Sequence, residues 1–283
     1  MVTVSQQGQL FIVATPIGNL SDFSYRAVEV LQQVDVIAAE DTRHSKYLLQ
    51  HYAIKTPTVS LHEHNEQQRS EMLLQRLLSG DSVALISDAG TPLISDPGYR
   101  LVSLVRQQGI KVVPVPGSCA LIAALSASGL ASDRFAFEGF LPAKASARRQ
   151  FLQQLTNETR TLIFYDSPRR LSDTLSDLSD IFGAERKACL ARELTKIHET
   201  IETRPLAELR DWVNQDDNQQ RGECVVLVEG ASTAAAVDEQ ELQRVLELLL
   251  AELPVKKSAA MAAALTGMGK NQAYQLALKL QQK

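Results

Sequence analysis

The sequence predicts an α/β protein: two α/β domains, the first an open parallel sheet and the second a mixed sheet, followed by a small C-terminal helical domain. Three observations predict it. Short apolar, β-branched runs alternate with amphipathic stretches up to about Val115. A second series of such runs begins near Arg134, and its later members alternate or end near turns. Beyond Gly230 only helical patterns remain.

In the first series, residues 9–14, 34–39, 58–61, 82–86 and 111–115 read as strands. Residues 23–33, 66–78 and 99–108 carry apolar side chains at helical spacing; Met72, Leu73, Leu77 and Leu78 form one stripe, and Gly80 stands where a C-cap belongs. The unbroken apolar run Val83-Ala84-Leu85-Ile86 fits a parallel sheet covered on both faces. This domain is assigned residues 1–117. The second domain, 118–231, has strands at 135–138, 161–165, 187–191, 199–203 and 224–229. Its clearest helix opens at Ser167-Pro168, runs through Leu171, Leu175, Leu178 and Ile181, and stops at Gly183. An Ala/Ser/Thr linker over 231–236 leads to the third domain, 236–283. There, helices at 238–253, 255–265 and 271–280, with a Gly267-Met268-Gly269 turn before the last, outline a helix-turn-helix. Lys256, Lys257 and Lys270 lie near its entrances, which suits RNA docking; a helical cap or dimerisation element is the alternative.

Composition excludes several function classes. No apolar run approaches the ~20 residues that cross a bilayer, and residues 1–9 have neither a basic region nor an apolar core, so the chain is expected in the cytoplasm. Cys119, Cys189 and Cys224 are far apart, odd in number and without C-x-x-C spacing, so neither a disulfide framework nor a zinc site is expected. His62-Glu63-His64 has the look of a metal pair, but alternate positions on a strand without further ligands favour a role in shaping a crevice; no metal is expected. A formal charge of -4 excludes a protein that coats nucleic acid by charge alone, so an RNA partner must meet a local patch.

Three Gly/Pro-rich turns follow first-domain strands: Thr15-Pro16-Ile17-Gly18-Asn19, Asp88-Ala89-Gly90-Thr91-Pro92 and Pro114-Val115-Pro116-Gly117-Ser118. Ligands of open parallel sheets bind beyond the carboxyl ends of the strands, so three such turns on one edge mark a crevice. None matches the dinucleotide or P-loop fingerprint, which disfavours a pyrophosphate-bearing cofactor. An acid at a strand end, Asp88, suits a ligand with an ammonium, a sulfonium or ribose hydroxyls, all of which S-adenosylmethionine offers.

Together with these turns, Glu40-Asp41-Thr42-Arg43, Ser95-Asp96-Pro97-Gly98, Tyr165-Asp166-Ser167-Pro168-Arg169-Arg170 and Arg192-Glu193-Leu194-Thr195-Lys196 follow in the order of one family. From about Leu10 to Gly230 the chain resembles the tetrapyrrole methylases, class III S-adenosylmethionine-dependent methyltransferases, in the branch that methylates a ribose 2′-hydroxyl of small-subunit ribosomal RNA. The resemblance implies a homodimer with S-adenosylmethionine in a cleft between the two α/β domains, acting on a cytidine of 16S rRNA in the 30S subunit. It implies cofactor contacts from Pro16, from Asp88, Ala89, Gly90, Thr91 and Pro92, and from Ile94. A second segment, Ser118, Cys119 and Ala120, opens a helix whose amides suit a carboxylate, with cysteine at 119 where serine is expected. Tyr165, Glu223 and Val225 approach from the second domain. Lys196 and Glu193 are expected near the reacting hydroxyl, with Asp41 and Arg43 across the cleft. Lys196 serves as base only if burial lowers its pKa. Read without the resemblance, 40–43 is also a helix N-cap with an ion pair, and 192–199 a solvated hairpin turn.

For the RNA path, Lys144, Arg148, Arg149 and Arg169 are the basic candidates, the first three in a loose Pro-Ala-Lys-Ala-Ser segment. Phe135, Phe137 and Phe140 suit stacked bases or, alternating along a strand, the core. A tetrapyrrole or corrin-precursor C-methylase is the alternative enzyme, and a nucleic-acid binder with a ligand-sensing α/β core the alternative outside catalysis.

Overall fold

A computed structural model describes residues 8–232, 239–267 and 269–281. The last four residues of the expected linker and Met268 of the glycine turn lie outside them.

The first sheet is built from β1 (Leu10–Val13), β2 (Val36–Ala39), β3 (Thr58–Ser60), β4 (Val83–Ile86) and β5 (Val112–Val115). Their order is β3-β2-β4-β1-β5, and every pair is parallel. Alternation explains why both faces are covered. Ile37, Ala39, Ala84 and Ile86 pack with Ala27 and Leu31 of α1 (Tyr25–Gln33) and with Leu48 and Leu49 of α2 (Thr42–His51). Val36, Ala38, Val83 and Leu85 pack on the other face with Leu73 and Leu77 of α3 (Glu66–Leu78) and Leu101 and Val105 of α4 (Tyr99–Gln107). Ser24 starts α1 by accepting from Ala27 N at 3.1 Å, and Asp41 starts α2 by accepting from Arg43 N at 2.8 Å.

The second domain runs α5 (Ala120–Ala127), β6 (Phe135–Phe140), α6 (Ala145–Gln154), β7 (Thr161–Asp166), α7 (Leu171–Phe182), β8 (Lys187–Arg192), β9 (Thr200–Pro205), α8 (Leu206–Gln215) and β10 (Cys224–Val228). Its order is β6-β7-β10-β8-β9; only β6 and β7 are parallel, so the sheet is mixed. One face, with Leu162, Phe164, Leu190 and Val226, is covered by α6, α7 and α8. The other, with Ile163, Cys189, Ala191, Val225 and Leu227, packs on α5 and on Ile17 and Ile94 of the first domain.

Two local expectations are corrected. Ser167 is followed by a single 3-10 turn, Pro168–Arg170, before α7, and its side chain makes no cap bond. The neighbouring Asp166 organises that start instead: it accepts from Ser167 N at 2.8 Å and bonds Arg170 and Thr174. The basic segment before Arg149, expected to be loose, leads directly into α6 with Lys144 at its N-cap.

Helices α9 (Glu239–Leu250), α10 (Val255–Thr266) and α11 (Lys270–Gln281) share a core of Leu242, Leu246, Ala259, Ala262, Ala263, Ala273 and Ala277. Alanine at the contacts lets the helices approach closely. Gly267 ends α10 at φ 75°, the left-handed conformation that glycine adopts without strain.

Candidate active site

Parallel pairing of β1, β2, β4 and β5 brings the segments after them to one edge. There Thr15 and Gly90 form an isolated antiparallel bridge, with Thr15 N donating to Gly90 O at 2.8 Å and Gly90 N to Thr15 O at 3.1 Å. Thr91 Oγ1 donates to Ser118 O at 2.9 Å, tying the second turn to the third. Gly90 sits at φ 86°, and a Cβ there would stand 3.3 Å from Ile17 Cγ2. The same loop holds Leu93 and Ser95 at φ 72° and 69°, conformations that cost side-chain-bearing residues energy and mark sites held by their surroundings.

Between these loops and the second sheet lies a cleft of about 290 Å³. Its apolar wall is Ile17, Ile94, Phe140, Tyr165, Ala191, Leu194 and Val225. Tyr165 is flanked edge-on by Phe137 at 4.8 Å and Phe140 at 5.5 Å, and burial pushes its phenol up to about 12. The polar side carries Glu40, Asp88 and Asp96. Asp88 Oδ1 accepts from Asp41 N at 3.1 Å, and Glu40 Oε2 from Asp88 N at 3.4 Å, so β2 and β4 are stitched at their ends. Burial, then repulsion from Glu40, pushes Asp96 up to about 6; burial also raises Glu40.

A second cleft of about 300 Å³ adjoins the first and shares Ile17, Asp88, Ala89 and Glu223 with it. Thr15, Pro16, Gly18 and Leu20 form its floor, His44, Ser45, Tyr47 and Leu48 of α2 one wall, and Lys196 the other. Lys196 Nζ donates to Glu193 Oε1 at 2.8 Å and to Glu223 Oε2 at 2.9 Å. Partial burial pulls the ammonium down, but the bonds to Glu193 and Glu223 outweigh it and leave its pKa above the ordinary value. The condition on which Lys196 would serve as base, a pKa lowered by burial, is therefore not met, and the two carboxylates favour its charged form. Glu193 and Thr195 hold φ 50° and 66°, and Glu193 also accepts from Glu223 N at 2.9 Å, so the loop is braced against β10. Arg192 behind it is buried and bonds His198 O, Arg221 O, Gln219 and Thr200.

The residues expected from sequence fall into three groups. Asp88, Ala89, Gly90, Thr91, Ile94, Cys119, Ala120, Tyr165, Glu223 and Val225 line the first cleft; Pro16 lines the second, and Pro92 and Ser118 lie beside the first without lining it. Lys196 and Glu193 meet, whereas Asp41 and Arg43 form an N-cap ion pair at 2.8 Å whose Arg43 side chain is 90% exposed, outside both linings. The basic group divides. Lys144 and Arg169 are exposed, and Arg149 bonds Asp177 and Asp180. Arg148 is corrected: only 4% of its side chain is exposed, and its Nε donates to Asp177 Oδ2 at 2.7 Å, so it cannot reach RNA. Phe137 belongs to the core, while Phe140 lines the cleft. Reading by motif missed Glu40, Asp96 and Leu194 as cleft residues, although all three lie inside quoted motifs, and read Phe140, which lines the first cleft, as a stacking or core residue. Among the described residues, no group of three or more His, Cys, Asp or Glu is placed to hold a metal.

A doubly wound domain and a mixed-sheet domain enclosing a Gly/Pro-lined cleft define a methyltransferase of the tetrapyrrole-methylase class; the family model described as Tetrapyrrole (Corrin/Porphyrin) Methylases matches residues 9–210, and the chain belongs to that family. S-adenosylmethionine is the cofactor of this class. A uroporphyrin-III-C-methyltransferase from Thermus thermophilus shares the fold at TM-score 0.54 and 19% identity, over 79% of this chain and 94% of that one. Within the class, the chain belongs to the ribosomal RNA small subunit methyltransferase I family. Its similarity to the Pseudomonas aeruginosa member is 61% identity over 98% of this chain and 99% of that one, and to the Synechocystis member 47% over 97% and 99%. The model described as the RsmI C-terminal HTH domain matches residues 236–281.

Proposed function

We propose that the chain transfers a methyl group from S-adenosylmethionine to the 2′-hydroxyl of a cytidine ribose in 16S rRNA of the small ribosomal subunit, in the cytoplasm and as a homodimer. The observation that carries this reading is the meeting of two clefts at Ile17, Asp88, Ala89 and Glu223, one suited to the donor and one to the acceptor. The strong likeness to ribosomal RNA methyltransferases along the whole chain supports RNA over a tetrapyrrole as acceptor. The division into domains 1–117, 118–231 and 236–283, with the donor between the first two, belongs to the same proposal.

The first cleft fits the cofactor. Its apolar slot suits an adenine, the acids Asp88, Glu40 and Asp96 suit hydroxyls and positive charge, and α5 begins at Cys119 without a side-chain cap, leaving amides for a carboxylate. When bound, S-adenosylmethionine supplies an electrophilic methyl beside a positive sulfur. Asp88 and Glu40 balance that charge. In the second cleft, Lys196 directs its ammonium toward the attacking oxygen and stabilises negative charge as it develops there. Glu223, which lines both clefts and bonds Lys196, is the acceptor we assign for the hydroxyl proton. Glu193 holds Lys196 in place. Lys144 and Arg169 on the surface, and Lys256, Lys257 and Lys270 on the helical domain, supply phosphate contacts that the overall negative charge does not.

The test is to incubate the protein with labelled S-adenosylmethionine and, in parallel, 30S subunits from a strain lacking the enzyme or a corrin precursor, then digest the RNA with alkali. An alkali-resistant labelled dinucleotide is expected. Label only in a corrin precursor, or none with tight nucleic-acid binding, overturns the reading.

A further inference from the structure

Helix α2 uses one face and leaves another unspent. Ser45, Leu48 and Leu49 are buried, and Tyr52, just past the helix end, gives its hydroxyl to Leu20 O at 2.6 Å and its ring to Phe23 at 5.2 Å. Tyr47 does neither: its side chain makes no hydrogen bond or ring contact with the described residues, and the residue is 70% exposed while lining the second cleft. A large aromatic ring left in water at the wall of a cleft gains nothing for the fold. His44, three residues earlier and so on the same face, lines the cleft as well, and Lys46 beside it is exposed and has no ion pair among the described residues. Lys196 lines the same cleft and bonds Glu223, which lines both clefts.

Resting on the ribose-methylation reading above, we propose that Tyr47 is the stacking platform for the base of the target nucleotide, a pyrimidine swung out of its RNA strand into the second cleft with its ribose toward Lys196. The chemistry favours that occupant. A hydroxyl inside a structured RNA reaches a donor buried between two domains only when its nucleotide leaves the stack, and a flipped base is held on an aromatic face. The second cleft offers such a face on the first-domain side, with Pro16, Ile17 and Gly18 also in its lining, and continuity with the first cleft through Ile17, Asp88 and Ala89. Arg43 and Lys46, exposed on α2, flank the platform where the strand's phosphates would pass. Tyr47 thus positions the substrate and takes no part in proton movement.

The test compares wild type with Tyr47→Ala, Tyr47→Leu and Tyr47→Phe on 30S subunits, reading steady-state methyl transfer, cofactor affinity by calorimetry and thermal midpoint. Base stacking on aromatic residues sets the expected size: Tyr47→Ala and Tyr47→Leu lower kcat/KM roughly 10- to 100-fold, mainly through KM, with cofactor affinity and midpoint unchanged. Tyr47→Phe recovers most of that loss, because the ring and not the hydroxyl carries the contact. Transfer by Tyr47→Ala equal to wild type, damage by Tyr47→Phe as large as by Tyr47→Ala, or an equal loss of cofactor affinity overturns the platform while leaving ribose methylation standing. A wild-type protein that transfers nothing to 30S subunits overturns the methylation reading, and the platform with it.

Discussion

Gly18 of the first domain lies against the stem of Lys196 of the second: a Cβ built on Gly18 would stand 2.5 Å from Lys196 Cγ and 3.0 Å from Thr195 Oγ1. The missing side chain is what lets the second-domain loop close over the floor of the second cleft. Gly18→Ala is therefore expected to displace Lys196 and lower kcat by about 100-fold, the scale at which a misplacement near 1 Å acts. Cofactor affinity, which the proposal assigns to the neighbouring cleft, should change little. Single-turnover methyl transfer alongside calorimetry checks this, and unchanged turnover would show that the loop adjusts without loss.

Lys196 itself is expected to act as a fixed positive charge. Lys196→Met should cost about 100- to 1,000-fold in kcat, as loss of a donor to a developing oxyanion does. Since its pKa is raised, wild-type activity should show no rise attributable to lysine deprotonation between pH 7 and 9. A rise that disappears in the Met variant would restore the lysine as a base.

The cofactor loop gives a prediction on binding alone. Asp88→Ala removes the carboxylate at the heart of the first cleft, and Gly90→Leu forces a side chain into φ 86° against Ile17. Both should abolish measurable calorimetric binding of S-adenosylmethionine while the circular dichroism of the folded chain persists. Unchanged affinity in both variants would relocate the cofactor.

Asp96 should make stability depend on pH in an unusual direction. Its folded pKa of about 6 lies above the ordinary 3.8, so the folded chain holds the proton more tightly than the unfolded one. Its contribution to stability is then fully present below about 3.8 and fades as pH rises through about 6. Asp96→Asn, which keeps the shape without the charge, is expected to raise Tm at pH 7.5 and to leave it nearly unchanged at pH 4. Equal Tm differences at both pH values would rule out this linkage.

Arg148 is a stability residue. Arg148→Ala leaves Asp177 with Arg149 as its ion-pair partner among the described residues and is expected to cost about 3 kcal/mol in urea unfolding, the low end for breaking a buried pair. The folded fraction should methylate 30S subunits at the wild-type rate. A specific loss of RNA affinity with normal stability would contradict its burial.

The strands were legible because short apolar, β-branched runs fit the doubly covered sheets they enter: the runs at 82–86 and 224–229 differ from β4 and β10 by a residue at an end. Helix α3 was legible to its last residue through its stripe and the following glycine. By contrast, α8 follows Pro205 directly and α6 opens on Ala-Ser-Ala, neither with a side-chain cap, so their starts carry no local mark. The cleft was half legible. Asp88 to Thr91 announce themselves by turn chemistry, but the approach of Glu40 to Asp88 follows from β2 pairing with β4, a tertiary fact without a local pattern. For Arg148 and Arg149, adjacent positions on a helix point in different directions, and composition could not tell the inward one from the outward one.

The paired backbone bonds between Thr15 and Gly90 have a mechanical consequence. They join Thr15, which lines the second cleft, to Gly90, which lines the first, with Ile17 in both linings. A substitution that breaks this bridge should therefore disturb the linings of both clefts at once, and not one alone.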